Sequence, residues 1–333
     1  MKVPGLASKG FIAICVILLW SVILIFSFDF TLTAPVHEKL QRRFPLRSWS
    51  KNSTNETFVF KNEALKFHIL HFPEALTTLC ASGNLKLLVV VQSGPASGDI
   101  RKTIRETWAA PEAVNSLKSD TAKIVFLVGD GGSATTALQA EIAQNKDIVL
   151  IDTEDSYKNL VYKTAISLFI SHTYCPTPYL LKIDQDVAFN ADRFMQQIGS
   201  AFWHDQPTIY CKVRYVSMPW RNKTSRWYVS ESQFDGWFYP RYCAGPAYVL
   251  TATAVDSLLG ALPEFEMIRI EDVFFTGIVA AAAGVKRIGM QGRFKTEYTA
   301  LSFSENDCST PILAVHNLKK EEEIRETWKY LAR

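Results

Sequence analysis

The sequence predicts an α/β fold, a mostly parallel sheet with crossover helices, standing behind an N-terminal transmembrane helix. Three observations lead there. From residue 84 onward short β-branched runs alternate with helical stretches, and one uncharged apolar run lies near the N-terminus. Of the 333 residues, 48% are hydrophobic and 21% charged, which is enough apolar matter for a sizeable core and too much for a disordered chain. With 36 Lys+Arg against 33 Asp+Glu, the formal charge is +3. At this length that excludes a nucleic-acid binder working by phosphate neutralisation. No period of solenoid or propeller length is present, which removes repeat architectures.

The elements follow in order. Residues 1–10 form a short tail carrying Lys2 and Lys9 and no acid, and Phe11 to Phe28 contain no charged residue. As a helix that run would be about 27 Å long, enough for a thin early-secretory bilayer. The positive-inside rule leaves the tail in the cytosol and puts everything after Asp29 in the lumen. A cleaved signal peptide has a shorter apolar core and a small-residue cleavage site, whereas this run ends in bulky Phe26 and Phe28, so an uncleaved anchor over 11–28 is expected. Residues 29–83 are polar and irregular and read as a lumenal stem, with a local fold around Phe58–Phe72. Acceptor triplets for N-glycosylation stand at Asn52, Asn55 and Asn222. Beyond Cys15 in the anchor, Cys80, Cys175, Cys211, Cys243 and Cys308 show no zinc-ligand spacing, so disulfides are expected, with one thiol left over.

Residues 84–333 contain no linker-like break and read as one domain. Leu85–Gln92 is a buried-strand run, followed by a helix from about Asp99 to Trp108 and a strand at Lys123–Val128. Gly129 and Asp130 end that strand, and a helix at Thr135–Gln144 and a strand at Asp147–Ile151 come next. Leu160–Ser171 reads as a helix and Tyr179–Ile183 as a strand. This alternation is the pattern of crossover connections in a parallel sheet. Further on, helices are expected at Ala191–Phe202 and Ala254–Leu262, after Asp272 and at Lys319–Leu331, with a strand at Ala247–Leu250. Tyr210–Tyr242 is loop-rich and aromatic, with no regular period.

The chemistry is expected at Asp184-Gln185-Asp186. In open α/β sheets ligands bind at the carboxyl ends of the strands, and these two carboxylates directly follow the Tyr179–Ile183 strand. A hard divalent ion held there would neutralise the charge of a departing nucleoside diphosphate; the alternative reading of such residues is a helix cap. No Walker lysine motif or GxGxxG fingerprint offers another phosphate cradle. Arg101 and Arg105, at i and i+4 on the first predicted helix, could clamp phosphates with their guanidinium groups or form a solvated, ion-paired face.

Residues 84–333 resemble the Golgi β-1,3-galactosyltransferase family, which includes β-1,3-N-acetylglucosaminyltransferases and, more distantly, Fringe enzymes. The blocks that carry the resemblance begin with Arg101 to Arg105-Glu-Thr107-Trp108, Asp155-Ser-Tyr157 to Leu160 with Lys163-Thr164, and Lys182-Ile-Asp184-Gln-Asp186. Arg226-Trp227-Tyr228-Val229-Ser230, Tyr239-Pro240 through Gly245, Glu271-Asp272-Val273 and Val315-His316 complete them in the family's order. The resemblance implies a nucleotide-sugar-binding, GT-A-like domain that transfers a hexose, galactose first, with inversion from a UDP-sugar to the 3-hydroxyl of an acceptor glycan. It also implies Mn²⁺, with Asp184, Asp186 and His316 at the metal, and Asp272 as the base that deprotonates the acceptor. Trp227 and Tyr228 are candidates for the acceptor wall, because sugar C–H faces pack on aromatic rings; core packing is the other reading. The acceptor would be carried on a glycoprotein or glycolipid, and the location would be the Golgi membrane. N-Acetylglucosamine or N-acetylgalactosamine transfer is the alternative activity, and a non-catalytic lumenal carbohydrate binder the alternative class. The chain departs from the family in placing Pro246 after Gly245, in lacking the usual Thr after Asn159-Leu160, and in placing Phe274-Phe275 before Thr276.

Overall fold

A computed structural model of the chain describes residues 55–130, 134–296 and 311–333. The expected tail and anchor, Cys15, Asn52, Gly131-Gly132 and Cys308 lie outside the described residues. Among the described residues no helix is long and apolar enough to cross a membrane.

The strands are β1 (Asn55–Val59), β2 (Ala64–His71), β3 (Leu87–Ser93), β4 (Ala122–Gly129), β5 (Ile148–Ile151), β6 (Tyr179–Asp184), β7 (Val187–Phe189), β8 (Thr208–Arg214), β9 (Tyr242–Thr251), β10 (Lys286–Gly289), β11 (Phe294–Lys295) and β12 (Ala314–His316). The helices are α1 (Glu74–Ala81), α2 (Gly98–Arg105), α3 (Asn115–Lys118), α4 (Thr136–Asn145), α5 (Leu160–Phe169), α6 (Ala191–Gln196), α7 (Ala252–Ala261) and α8 (Glu321–Leu331). One sheet runs β1-β2-β5-β4-β3-β6-β9-β8-β10, and a small one runs β11-β12-β7.

The centre of the large sheet, β5-β4-β3-β6, is parallel, as the alternation predicts. The flanks correct the expectation of a mostly parallel sheet. β2 on β5, β9 on β6 and β8 on β9 are antiparallel, so the sheet is mixed. Buried on both faces, β3 divides its side chains by the two-residue period. Leu88 and Val90 pack with Val161, Ala165 and Phe169 of α5. Leu87, Val89 and Val91 pack with Ile104 of α2, Leu138 of α4 and Ile324 of α8. The sheet is therefore a layer between two helical layers.

Two further expectations change. Residues 55–83, assigned to the stem, belong to the folded body: β2 pairs with β5, Phe58, Phe60 and Phe67 are buried in the core, and Cys80 is bonded to Cys175. The aromatic stretch from Tyr210 contains the inner part of β8, whose Cys211 is bonded to Cys243 on β9. Closing loops of 95 and 32 residues, the two disulfides remove chain entropy worth about 5 and about 4 kcal/mol in the loop-closure picture. Four of the five expected cysteines are thus paired.

Candidate active site

The carboxyl ends of β3 and β6 open onto a cavity of about 480 Å³, lined among others by Ser93, Gly94, Asp155, Tyr157, Lys163, Asp184, Asp186 and Lys319. This is the crevice position expected for a ligand in an α/β sheet. Asp184 ends β6, and Asp186 precedes β7, which leaves for the small sheet. Between them Gln185 is a clamp rather than a spacer. Its Oε1 accepts from Ser93 Oγ at 2.7 Å and Gly94 N at 3.2 Å, and its Nε2 donates to Ser97 Oγ at 3.0 Å, tying the end of β3 to the end of β6. Gly94 leaves room for Asp155, since a Cβ there would lie 2.8 Å from Asp155 Oδ2 and push that carboxylate aside.

Three carboxylate–lysine pairs surround the cavity. Lys163, buried on α5, donates to Asp155 Oδ1 at 2.6 Å and to Ser93 O at 2.9 Å, and burial pulls its ammonium below the ordinary lysine value. Lys182, buried on β6, donates to Asp184 Oδ1 and Gly245 O, each at 2.8 Å, and lies 3.5 Å from Glu271 Oε2. Burial alone would lower its pKa, but the charges of Asp184 and Glu271 outweigh that and raise it. The third pair is Lys319 Nζ on Asp186 Oδ2.

The small sheet brings His316 to Asp186, because His316 on β12 is paired with Val187 on β7. Its Nε2 lies 3.4 Å from Asp186 Oδ1, and its Nδ1 bonds Thr296 O at 2.8 Å. Burial would raise the Asp186 pKa, yet the bonds from His316 and Lys319 hold it down at about 2, while Asp186 in turn raises that of His316 against burial. Two of the three expected metal ligands are therefore adjacent. Among the described residues no three His, Cys, Asp or Glu donors converge on one point, and Asp184 is engaged by Lys182. The donor types nevertheless fit a divalent ion such as Mn²⁺. Two carboxylates flank the cavity, and the imidazole is oriented by a carbonyl on Nδ1, the usual support for an Nε2 ligand.

Asp272 sits at the head of a π-helical run, Val273–Val279, where the sequence predicts an ordinary helix; such irregular turns are frequent at functional sites. Its Oδ1 accepts from Val273 N at 2.9 Å and its Oδ2 from Gly245 N at 3.1 Å. Gly245-Pro246 lies where the β8–β9 register shifts. The break presents the Gly245 N–H to Asp272 and its carbonyl to Lys182, and proline costs no ladder bond in such a place. A Cβ on Gly245 would crowd Asp272 Oδ2 at 3.3 Å. Next to Asp272, the buried Glu271 accepts from Thr164 Oγ1 at 3.0 Å and from the Tyr248 hydroxyl. Burial first, and then the charge of Glu271, push Asp272 up to about 7. Burial also raises Glu271, against the pull of Lys182.

Of the acceptor candidates, Trp227 is linked to the cavity wall through Arg226. Its guanidinium stacks 4.5 Å from the Trp227 ring and 5.2 Å from the ring of Tyr157, a cavity-lining residue. Trp227 is exposed and pairs with Trp220 at 5.9 Å, whereas Tyr228 is half-buried. Asn222 is exposed, its Oδ1 accepting from Thr224 Oγ1 at 2.9 Å.

Arg101 and Arg105 are not phosphate clamps. Arg101 is fully buried, bonded through Nε to Glu141 Oε1 at 2.8 Å and through Nη1 to Ser93 Oγ at 3.0 Å. Arg105 makes a bidentate pair with Asp147, both bonds at 2.8 Å, and a third bond to Glu141. Neither lines the cavity; Arg101 acts at one remove by fixing the Ser93–Gly94 loop. Sequence reasoning assigns no role to Lys182, Lys163, Glu271, Tyr157, Gln185 and Lys319, although all but Lys319 stand in the blocks that carry the resemblance. Lys182 and Lys163 carried a signal, since each is a charge inside an apolar run, where a lysine is rarely buried unpaired.

Residues 99–291 match the galactosyltransferase family model, a span that includes Asp184, Asp186 and Asp272. The chain is 28% identical over 307 residues to the β-1,3-galactosyltransferase bre-2 of Caenorhabditis elegans, covering 89% of this chain and 82% of that protein. It is also 28% identical over 235 residues to the human lactosylceramide 1,3-N-acetyl-β-D-glucosaminyltransferase, covering 66% of this chain and 61% of that one. Among solved structures, the galactosyltransferase LgtC with donor and acceptor sugar analogs superposes with a TM-score of 0.37 at 10% identity, covering 74% of this chain and 96% of that one. With more than half its length matched by the family model, the chain belongs to the galactosyltransferase family and is a glycosyltransferase.

Proposed function

We propose that this glycosyltransferase moves a hexose, galactose first, from a UDP-sugar to the 3-hydroxyl of an acceptor glycan in β linkage with inversion. The observation that carries the reading is Asp272, a carboxylate held by two backbone N–H groups and pushed up to about 7. A single displacement with inversion needs a base on the side of the sugar opposite the leaving group. Asp272 would take the acceptor's proton as its oxygen attacks. Glu271 raises the basicity of Asp272, and Lys182 keeps the pair from carrying two uncompensated charges. Asp184, Asp186 and His316 are the residues that would hold Mn²⁺, which when bound supplies Lewis-acid neutralisation of the departing diphosphate. Arg226 and Trp227 form the wall on which the acceptor's apolar face would pack.

A type II arrangement in the Golgi membrane, with 11–28 as anchor and the catalytic body in the lumen, completes the proposal. Two disulfides and an exposed acceptor triplet at Asn222 support an oxidising, glycosylating compartment. N-Acetylglucosamine transfer stands beside galactose transfer because a relative named for that sugar matches at the same identity. The test is UDP release from UDP-galactose, UDP-N-acetylglucosamine and UDP-N-acetylgalactosamine, with and without Mn²⁺, followed by linkage analysis of the product. Release favouring UDP-galactose and a β-1,3 product support the reading. A linkage other than β-1,3, or full turnover in chelator, would sink it.

A further inference from the structure

We propose that Lys319 is an exchangeable internal cation, which holds Asp186 while no divalent ion is bound and passes to the diphosphate of the donor when one binds. This rests on the reading of Asp186 as a metal-site carboxylate.

Three carboxylates around the cavity each have a lysine, and the three lysines differ in their freedom to move. The side chains of Lys163 and Lys182 are 2% and 1% exposed, and each is bonded to a backbone carbonyl as well as to its acid. The Lys319 side chain is 62% exposed on an Asp186 that is 20% exposed, and its ammonium donates to Asp186 Oδ2 with no backbone carbonyl holding it among the described residues. Leaving the first two pairs would strand a buried charge, which costs several kcal/mol. Leaving Asp186 returns the Lys319 ammonium to water at little cost.

The backbone around Lys319 is fixed. Leu318 is buried and its N–H donates to Asp186 O at 3.0 Å, while Asn317 takes a φ of 75° that turns the chain after β12. Lys319 N and Lys320 N both donate to Glu323 Oε2, at 2.6 and 3.0 Å, which pins the start of α8. A flexible four-carbon stem on a rigid base can swing its ammonium without moving the fold. The side chain lines the cavity that the donor would enter.

The arrangement also accounts for the lack of converging donors. Asp186 already faces the Lys319 ammonium and the His316 imidazole, so an entering divalent ion must displace the mobile ammonium. The displaced ammonium is then left beside an anionic ligand, where it adds a charge-assisted hydrogen bond. Such an exchange penalises binding of the metal alone and favours binding of metal and diphosphate together.

The test uses the full-length protein and two equilibrium measurements. Mn²⁺ binding without donor is followed by the spin resonance of the free ion, and UDP binding at saturating Mn²⁺ by calorimetry. Lys319→Ala should bind Mn²⁺ alone about three- to tenfold more tightly, because its competitor is gone, and should bind UDP about tenfold more weakly. Lys319→Arg, which keeps the charge, should restore most of the UDP affinity. Unchanged or weaker Mn²⁺ binding by Lys319→Ala overturns the exchange, as does unchanged UDP affinity. Asp186→Ala separates the two ideas: if it binds Mn²⁺ as the unmodified protein does, the metal reading fails, and the exchange fails with it.

Discussion

Asp272→Asn tests base and fold together, because the same burial that makes Asp272 basic also taxes stability. Its pKa of about 7 against an ordinary 3.8 means that the folded state binds the proton more tightly than the unfolded chain does. The stability this confers is fully present below about pH 4 and is lost as pH rises through 7; the whole gap corresponds to at most about 4 kcal/mol. Asparagine cannot ionise, so it escapes that loss. It offers one acceptor oxygen where the carboxylate offers two, to Val273 N and Gly245 N, and an unmet N–H costs about 1–3 kcal/mol. The variant should therefore be about 1–3 kcal/mol more stable than the unmodified protein at pH 8 and nearly equal at pH 5, while turnover falls about 10²–10⁴-fold. In the unmodified enzyme kcat/KM should rise with pH along a limb near 7 that belongs to the Glu271–Asp272 pair. Denaturant melts at the two pH values and steady-state rates on the same preparation measure all of this. A variant within tenfold of normal turnover would exclude Asp272 as the base, and a stability difference that ignores pH would refute the reasoning from burial.

Asp186→Ala should abolish turnover and weaken UDP binding in Mn²⁺, with His316→Ala following less severely; near-normal turnover and an unchanged Mn²⁺ requirement in both would show the metal site misplaced. Arg101→Ala removes a buried guanidinium bonded to Glu141 and to the β3 end and should cost about 3 kcal/mol of stability. UDP affinity of the remaining folded protein should fall only a few-fold, through the loosened Ser93–Gly94 loop, and the opposite pattern, affinity lost outright at an unchanged Tm, would restore Arg101 as a donor clamp. Replacing Cys80 and Cys175 by Ser should lower stability by about 2–5 kcal/mol by releasing α1 from the π-helical turn Ile170–Tyr174 that follows α5; a melt unchanged by the substitution, or by reductant, would argue that the bond contributes nothing.

The centre of the sheet was legible because its strands are buried on both faces. LLVVVQS and YLLKID are near-continuous apolar runs, which suit a strand covered on both faces. The flanks were not. β2 reads as ALKFHILH with mixed burial, the pattern of a strand near an edge with little covering it, and its pairing with β5 is set by tertiary contacts that no local period records. β7 and β12 are three residues each, too short for periodicity to mark. For the same reason a local reading sets the stem boundary too late: the signal at Phe58–Phe72 is local, and the partners that draw the segment into the core stand far along the chain, at β5 and at Cys175, 95 positions after Cys80.

The site divides along a similar line. Asp184 and Asp186 were found because a strand end is a place that sequence can name, and Asp272 and His316 because blocks of residues name them. What holds those groups in working condition is long-range. Lys182 meets Glu271 across 89 positions and Gly245 across 63, and Lys319 meets Asp186 across 133. Arg101 shows the converse error. Its spacing to Arg105 defines one helix face, but that face looks onto Glu141 and Asp147 rather than onto the cavity. A helix face is a direction relative to the helix alone. Which neighbour it meets is decided by the crossover that packs α2 beside α4, so two arginines with the geometry of a phosphate clamp became the brace of the loop that shapes the cavity.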